Sequence, residues 1–286
     1  MDPLVTIAMP VYNGERTLSL AIKSVMRQSY KNWQLLIADD GSTDATLKLA
    51  NRYVNSQIRV LNDTRQCGVA DRLNQILEQS EGKYFARLDA DDVALPGRLE
   101  KQVQLLEENA EIDLAGTGAV IFSDDGTAIG KFPVFAIHAN ICRNPWQGFY
   151  LAHPTWLGRT DWFRRFQYRQ DVTGAEDQDL LLRTYQVSTL ACLPELLTGY
   201  RQGKLSLKKI LMGRYYFSKS IIRFATKRFE YLKCIHAVGA QVLKGMVDAF
   251  AVTTGLNRRI LRHRALPMEP EEISMWNFFW HSLKEG

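Results

Sequence analysis

Four times within the first ninety residues, a short apolar run rich in β-branched side chains gives way to polar residues and then to a segment with helical spacing. Leu4-Val5-Thr6-Ile7-Ala8-Met9 is the first run, and it stops at Pro10, which cannot donate to a sheet ladder. Asn13-Gly14 follows as a turn, after which Leu18, Ile22, Val25 and Met26 recur on one helical face. Leu35 to Ala38 is the second run; it ends in Asp39-Asp40-Gly41-Ser42, and Asp44 caps a helix carrying Leu47 and Tyr53. Ile58 to Leu61 leads to a helix bearing Leu73, Ile76 and Leu77, and Tyr84 to Leu88 ends in Asp89-Ala90-Asp91-Asp92. Alternation at these lengths specifies an α/β fold: a doubly wound, mostly parallel sheet flanked by helices, with right-handed crossovers.

In such sheets ligands bind beyond the carboxyl ends of the strands. Three of the four strand ends here carry unusual polar chemistry: Pro10-Val11-Tyr12-Asn13, Asp39-Asp40-Gly41-Ser42 and Asp89-Ala90-Asp91-Asp92. Alternate residues of an extended segment share a side, so Asp89 and Asp91 can converge while Asp92 faces away; the competing reading is a polar loop with Asp92 capping the following turn. Carboxylates this close repel unless a cation sits between them, and hard oxygen ligands suit Mg²⁺ or Mn²⁺. A carboxylate at Asp39 or Asp40 can accept from a base N–H or a ribose hydroxyl, although the same residues read equally well as a capping loop. Tyr12 can lay its ring on a flat base, where stacking is worth about 1–3 kcal/mol. Arg72 can reach a base or a phosphate oxygen; on composition alone it reads as a solvated helix face.

Further along, a helix follows Pro96 from about Arg98 to Glu108, and residues 114–135 read as a hairpin around Asp124-Asp125-Gly126. The aromatic-rich stretch 144–172 yields no clear element. Glu176 to Tyr185 is a helix and Ser188 to Cys192 a short strand. Glu176 and Asp177 sit in a first turn, where the helix dipole favours carboxylates. One of them can equally face the cleft and take a proton from an acceptor hydroxyl. His153, in His-Pro-Thr-Trp beside the cleft, reads first as a hydrogen-bonded structural residue.

Charge divides the chain. Residues 1–200 carry a balance of −5 and residues 201–286 a balance of +10. Residues 204–264 read as two or three helices in which Phe217, Ile221, Phe224 and Ala225 share a face and Lys219, Arg223 and Lys227 share another. Such a basic, aromatic-bearing segment suits an anionic membrane surface, or packs on the body with a solvated basic face. No helix-turn-helix, zinc or RNP-like signature points to nucleic acid. Cys67, Cys142, Cys192 and Cys234 are widely spaced without a C-x-x-C pair, which fits a reducing compartment. Met1-Asp2-Pro3 has no basic signal-peptide start, and no uncharged stretch approaches the ~20 residues that cross a bilayer. The expected location is cytoplasmic, peripheral on the inner face of the membrane if the basic tail binds it.

Thr6-Ile7-Ala8-Met9-Pro10-Val11-Tyr12-Asn13, Asp39-Asp40-Gly41-Ser42-Thr43-Asp44 and Leu88-Asp89-Ala90-Asp91-Asp92, with Pro96 and Arg98-Leu99, resemble the family 2 glycosyltransferases of GT-A fold. The likeness runs over about residues 4–110. It resumes more weakly at His153-Pro154-Thr155, at Ala175-Glu176-Asp177-Gln178-Asp179-Leu180 and at Gly199-Tyr200-Arg201. It implies inverting transfer of a sugar from a nucleotide diphosphate donor, UDP-linked by expectation, to a hydroxyl of a glycan or lipid-linked acceptor in surface-polysaccharide assembly. It also implies a catalytic domain over 1–203, with a nucleotide-sugar half to about 110 and an acceptor half beyond, and a basic helical extension over 204–286. By the family pattern Pro10, Tyr12, Asp39 and Asp40 hold the nucleotide with help from Arg72. Asp91 ligates the metal on the diphosphate, Asp89 turns to the ribose or the metal, and Asp177 is the general base. Glu176 and His153 are further acceptor-side candidates. Family members often carry a histidine shortly after Tyr-Arg; this chain has Gln202-Gly203, so water takes that ligand position or the metal requirement is looser.

Two other readings compete. One is phosphoryl transfer by aspartates at strand ends, but the first strand ends in Met9-Pro10 where such enzymes place a nucleophilic aspartate. The other is a non-catalytic nucleotide-binding or adaptor module whose basic tail docks a partner.

Overall fold

In the computed structural model, which describes residues 2–63, 65–203, 206–254 and 265–285, the alternation read from the sequence is present in order. It comprises β1 (Val5–Val11), α1 (Leu18–Met26), β2 (Trp33–Asp39), α2 (Thr46–Asn51), β3 (Ile58–Asn62), α3 (Val69–Glu78) and β4 (Tyr84–Arg87). Next come β5 (Val93–Ala94), α4 (Arg98–Glu108), β6 (Leu114–Phe122), β7 (Ala128–Lys131), α5 (His138–Ile141) and β8 (Leu157–Arg159). The chain continues through α6 (Thr160–Arg165), α7 (Glu176–Thr184), β9 (Leu190–Arg201), α8 (Leu207–Thr226), α9 (Tyr231–Thr253) and α10 (Pro270–Glu285).

The strands make one sheet in the order β3-β2-β1-β4-β8-β6-β9-β5, with β7 paired to β6. It is parallel through β3, β2, β1 and β4 and mixed beyond, where β8 lies antiparallel to both β4 and β6 while β6 and β9 run parallel. Every residue of β1 is buried, as a strand covered on both faces requires. Its alternation sorts the core: Val5, Ile7, Met9 and Val11 pack with Leu18, Ile22 and Val25 of α1 and Leu99 and Val103 of α4. Ala8, on the opposite face, packs with Leu73, Ile76 and Leu77 of α3. A third apolar cluster joins Val93, Phe122 and Leu196 to Trp276, Phe279, Trp280 and Leu283 of α10, so the end of the chain folds back on the sheet.

Several boundaries differ from the sequence reading. β1 continues through Pro10 to Val11, with Pro10 opposite Ala38 of β2. Its other neighbour, β4, ends at Arg87 opposite Ala8, so no ladder donor is needed from Pro10 on that side. β9 does not stop at Cys192 but runs twelve residues, with register shifts against β6 on either side of Gly118. The hairpin of β6 and β7 forms as expected, turning at Gly126 with φ +96°. In the stretch without an assigned element, the chain makes a 3₁₀ turn at His153–Thr155, then β8 and α6.

Of the basic segment, residues 204, 205 and 255–264 lie outside those described, and α8 and α9 pack on one another. Phe217 and Ile221 of α8 are buried in the main core, as the spacing predicts. Asp248 of α9 accepts from Arg214 Nε of α8 at 2.9 Å, and Arg214 Nη1 donates to Gln241 Oε1 at 2.9 Å. By length and composition Tyr231–Thr253 is long and apolar enough to cross a membrane, and only 28% of its most apolar window is buried. A count of uncharged stretches passes over it because Lys233, Lys244 and Asp248 interrupt the run.

Candidate functional site

The loop after β1 is fastened to the loop after β2. Asn13 N donates to Ser42 Oγ at 2.9 Å, Gly14 N to Thr46 Oγ1 at 2.8 Å and Glu15 N to Asp44 Oδ2 at 3.2 Å. In return, Thr43 N donates to Asn13 Oδ1 at 2.8 Å. Asp44 also accepts from Thr46 N at 2.9 Å, closing a turn just before the helix; the N-cap position itself falls on Ala45, so Asp44 braces the loop rather than capping the helix as expected. Tyr12 stands on this braced loop with 46% of its surface exposed, a ring held by its backbone rather than by packing.

Asp40 and Arg72, read separately from the sequence, meet in the structure. Arg72 Nε donates to Asp40 Oδ1 at 2.8 Å, and both side chains are buried. The expectation of a solvated helix face for Arg72 is therefore overturned: its helix packs on the sheet, and the guanidinium turns inward to the carboxylate at the end of β2. Asp40 also accepts from the backbone N–H groups of Cys67 and Gly68. Gly68 reaches this position at φ +91°, in the left-handed region that glycine adopts without a Cβ penalty. Asp39 Oδ2 accepts from Ser42 N at 3.1 Å, whereas its buried Oδ1 meets no partner among the described residues.

At the end of β4 the carboxylate oxygens of Asp89, Asp91 and Asp92 lie within 4.8 Å of one another. Two of the three are already engaged. Arg87 Nε donates to Asp89 Oδ1 at 2.7 Å. Asp92 does not face away as strand alternation predicts: the chain turns here, with Asp92 N donating to the Asp89 carbonyl at 3.1 Å, which brings its carboxylate in beside the other two. Its buried Oδ1 accepts from Arg201 N at 2.7 Å, and Oδ2 meets no partner among the described residues. No side-chain hydrogen bond from another described residue ends on Asp91. Desolvation over the packed strand end and then the charge of Asp89 push its carboxyl up to about 6. Burial, followed by Asp91 and Asp89, raises Asp92 well above the ordinary carboxylate range. An all-oxygen cluster with unsatisfied anionic capacity fits a hard divalent cation.

Arg87 and Arg201 are the residues that sequence reasoning did not assign a role. Arg201 Nε donates to the Asp91 carbonyl at 2.8 Å, and its guanidinium lies 4.7 Å from the Phe122 ring centre. Arg87 spans from Asp89 to His153 Nδ1. Because arginine only donates, Nδ1 accepts and His153 Nε2 donates to the Tyr168 hydroxyl at 2.8 Å. His153 is thus engaged at both nitrogens. Gln202, where the family often has histidine, turns its amide onto the Gly203 carbonyl at 3.1 Å.

Two cavities meet at the acidic strand end. One, of about 810 Å³, is lined by Pro10, Tyr12, Asp89, Asp91, Arg201 and Lys209. The second, of about 680 Å³, is lined by Asp89, His153, Asp177, Tyr200, Arg214 and Lys244. Asp89 lines both. Asp177, at the start of α7, carries a hydrogen bond from Gln178 Nε2 at 3.0 Å and otherwise faces the second cavity. Glu176 is turned back to accept from Gly174 N at 2.8 Å. Asp39, Asp40 and Arg72 line neither cavity.

Residues 6–166 match the sequence profile of glycosyl transferase family 2. The chain belongs to that family. The matched stretch holds all three polar strand ends of this family 2 chain but stops before Asp177. EpsE of Bacillus subtilis (strain 168) is 35% identical over 190 residues, 64% of this chain and 67% of that one. The UDP-Glc:alpha-D-GlcNAc-diphosphoundecaprenol beta-1,3-glucosyltransferase WfgD of Escherichia coli is 36% identical over 131 residues, 46% of this chain and 51% of that one. These matches span between about half and two thirds of the relatives' lengths. Among solved structures, S. aureus TarS in complex with UDP gives a TM-score of 0.59 at 19% identity, over 76% of this chain and 65% of that one. The mannosyltransferase PcManGT of Pyrobaculum calidifontis, in complex with GDP-Man and Mn²⁺, gives 0.60 at 15% identity over 99% and 86%. At these identities the likeness establishes the shared fold.

Proposed function

We propose that this family 2 chain moves a sugar, with inversion, from a UDP-type donor to a hydroxyl of a glycan or lipid-linked acceptor in surface-polysaccharide assembly. One observation carries the reading: Asp89 lines both cavities, so a donor diphosphate beside Asp91 and an acceptor beside Asp177 face each other across one carboxylate. UDP in TarS, GDP-Man with Mn²⁺ in PcManGT and the diphosphoundecaprenol acceptor in the name of WfgD support the substrate classes.

Tyr12 stacks on the base, and the Asp39 and Asp40 loop, held by Arg72, receives the nucleoside. Asp91 and the free oxygen of Asp89 hold Mn²⁺ or Mg²⁺, which when bound offsets the charge growing on the leaving diphosphate. The acceptor oxygen forms its bond to the anomeric carbon from the face opposite the diphosphate. Asp177 takes the proton from that oxygen while the bond from the anomeric carbon to the diphosphate breaks with its electron pair. A single displacement inverts the carbon, the same logic as two opposed carboxylates in inverting glycosidases.

The exposed tip between α8 and α9 fits a peripheral site on an anionic membrane. Phe229, Leu232 and Ile235 are 79%, 85% and 70% exposed there, next to Lys227, Arg228 and Lys233. Apolar insertion beside basic side chains is how interfacial helices bind such surfaces. A thermal-shift screen of nucleotide diphosphate sugars with and without Mn²⁺ tests the donor assignment. A UDP-sugar that raises the melting temperature only with the metal supports it; silence across all nucleotide sugars contradicts it.

A further inference from the structure

Asp177 is held by its own chain neighbour. Gln178 Nε2 donates to Asp177 Oδ2 at 3.0 Å, and Gln178 Oε1 accepts from Phe149 N at 2.8 Å. The second bond decides which way round the amide lies: a backbone N–H only donates, so the oxygen takes Phe149 and the nitrogen is left for the carboxylate. Successive residues of a helix point ~100° apart, so helix geometry alone does not bring the two side chains together. Both ends of the link are fixed. Phe149 is buried in the main core with Leu151 and Trp156. In α7, Leu180, Leu181 and Leu182 are buried, and Asp179, 1% exposed, accepts from Arg183 Nε at 2.7 Å and from Arg169 Nη1 at 3.3 Å. The backbone under Asp177 is thereby set, and its carboxylate keeps only rotation about its own side-chain bonds. Gly148 leaves room for the amide: a Cβ there would stand 3.0 Å from Gln178 Oε1, inside ordinary van der Waals contact. Phe149, Tyr150, Leu151 and Gln178 all line the cavity that Asp177 lines.

We infer that Gln178 is a positioning residue for the base: its amide, turned by Phe149 N, fixes the rotation of the Asp177 carboxylate. The inference rests on Asp177 being the base, as proposed above, and adds what aims it. Oδ2 holds the amide N–H, so Oδ1 is the oxygen presented to the acceptor hydroxyl and the one that receives its proton. The segment 149–151 then does two things at once: it walls the acceptor cavity and, through Gln178, sets the direction of the base within it. A mere brace between this wall and α7 would need only Oε1 on Phe149 N. The donation to Asp177 is what distinguishes aiming from bracing.

Two substitutions in the full chain separate the roles. Gln178→Glu keeps an oxygen for Phe149 N but offers no N–H to Asp177, and Gln178→Met keeps the length and loses both bonds. Turnover is read as UDP or GDP released from UDP-glucose, UDP-N-acetylglucosamine and GDP-mannose with water as acceptor. Each variant should lower kcat by about ten- to a hundredfold, the cost of a misaimed group, with the donor KM within twofold of the parent. In an Asp177→Asn background, Gln178→Met should change kcat by less than twofold, because no base is left to aim. Crystals of Gln178→Met should show the Asp177 carboxylate rotated or in several conformers over an unchanged α7 backbone. Gln178→Glu at the parent rate, equal losses from Gln178→Met in both backgrounds, or an unmoved carboxylate in the crystals would overturn the inference. Failure of the underlying reading looks different. Asp177→Asn at the parent rate, or no turnover of any of the three donors, defeats that reading, while the crystals still decide whether Gln178 orients the carboxylate. Loss in Asp177→Asn with Gln178→Met at the parent rate defeats the positioning role alone.

Discussion

Arg72 Nε lies 2.8 Å from Asp40 Oδ1, and this buried pair ties the first turn of α3 to the end of β2. Removing one partner leaves the other charge uncompensated out of water, a change that costs about 3–5 kcal/mol. Arg72→Met should therefore lower stability by that order in urea unfolding. The double variant Arg72→Met/Asp40→Asn should recover a substantial part of the loss. Equal loss in the single and double variants would show that the pair does not hold this corner.

That pair also marks where sequence reading stops. β1, β2 and β4 are legible because strands covered on both faces are near-continuous apolar runs, and their ends stand out as polar residues. α4 is legible because Pro96 and the spacing of Leu99, Val103 and Leu106 set its start and its face. The partnership of Asp40 and Arg72 is not legible, since 32 residues and a crossover separate them and only the parallel register brings them together. Residues 144–172 fail for a related reason. Their elements are three to six residues long and are fixed by distant groups, as when Gln102 Nε2 donates to the Thr155 carbonyl at 2.9 Å. β9 outruns its expected end because Pro194 and Glu195 fall at the register shift opposite Gly118, where no regular ladder is needed. α10 carries a helical signal in Trp276, Phe279, Trp280 and Leu283, but its role as a lid on Phe122 belongs to tertiary packing.

Asp177 lines the second cavity, the proposed acceptor side, where it accepts a hydrogen bond from Gln178. A positioned general base contributes about 10²–10⁴-fold to rate. Asp177→Asn should lower kcat by that range while leaving UDP affinity within twofold, measured by transfer assay and calorimetry. An unchanged kcat would remove Asp177 from the reaction.

Glu176 sits in a setting where desolvation raises its carboxyl above the ordinary value. The folded chain thus binds this proton more tightly than the unfolded chain, so its contribution to stability falls as pH rises through that window. Glu176→Gln, which keeps an oxygen for Gly174 N, should melt higher than the parent at pH 8. The gap should close as pH falls and vanish below the ordinary glutamate range. A gap that widened toward low pH would reverse the sign and reject the account.

The binding of UDP to the full chain by calorimetry, with Mn²⁺ and then with excess EDTA, in the parent and in Asp91→Ala, tests the central claim most directly. A cation held by Asp91 against the diphosphate predicts that chelation and the substitution each weaken binding by about tenfold or more, roughly 1.4 kcal/mol. Their effects should not add, because both remove the same bridge. UDP affinity unmoved by EDTA and by Asp91→Ala would contradict the account.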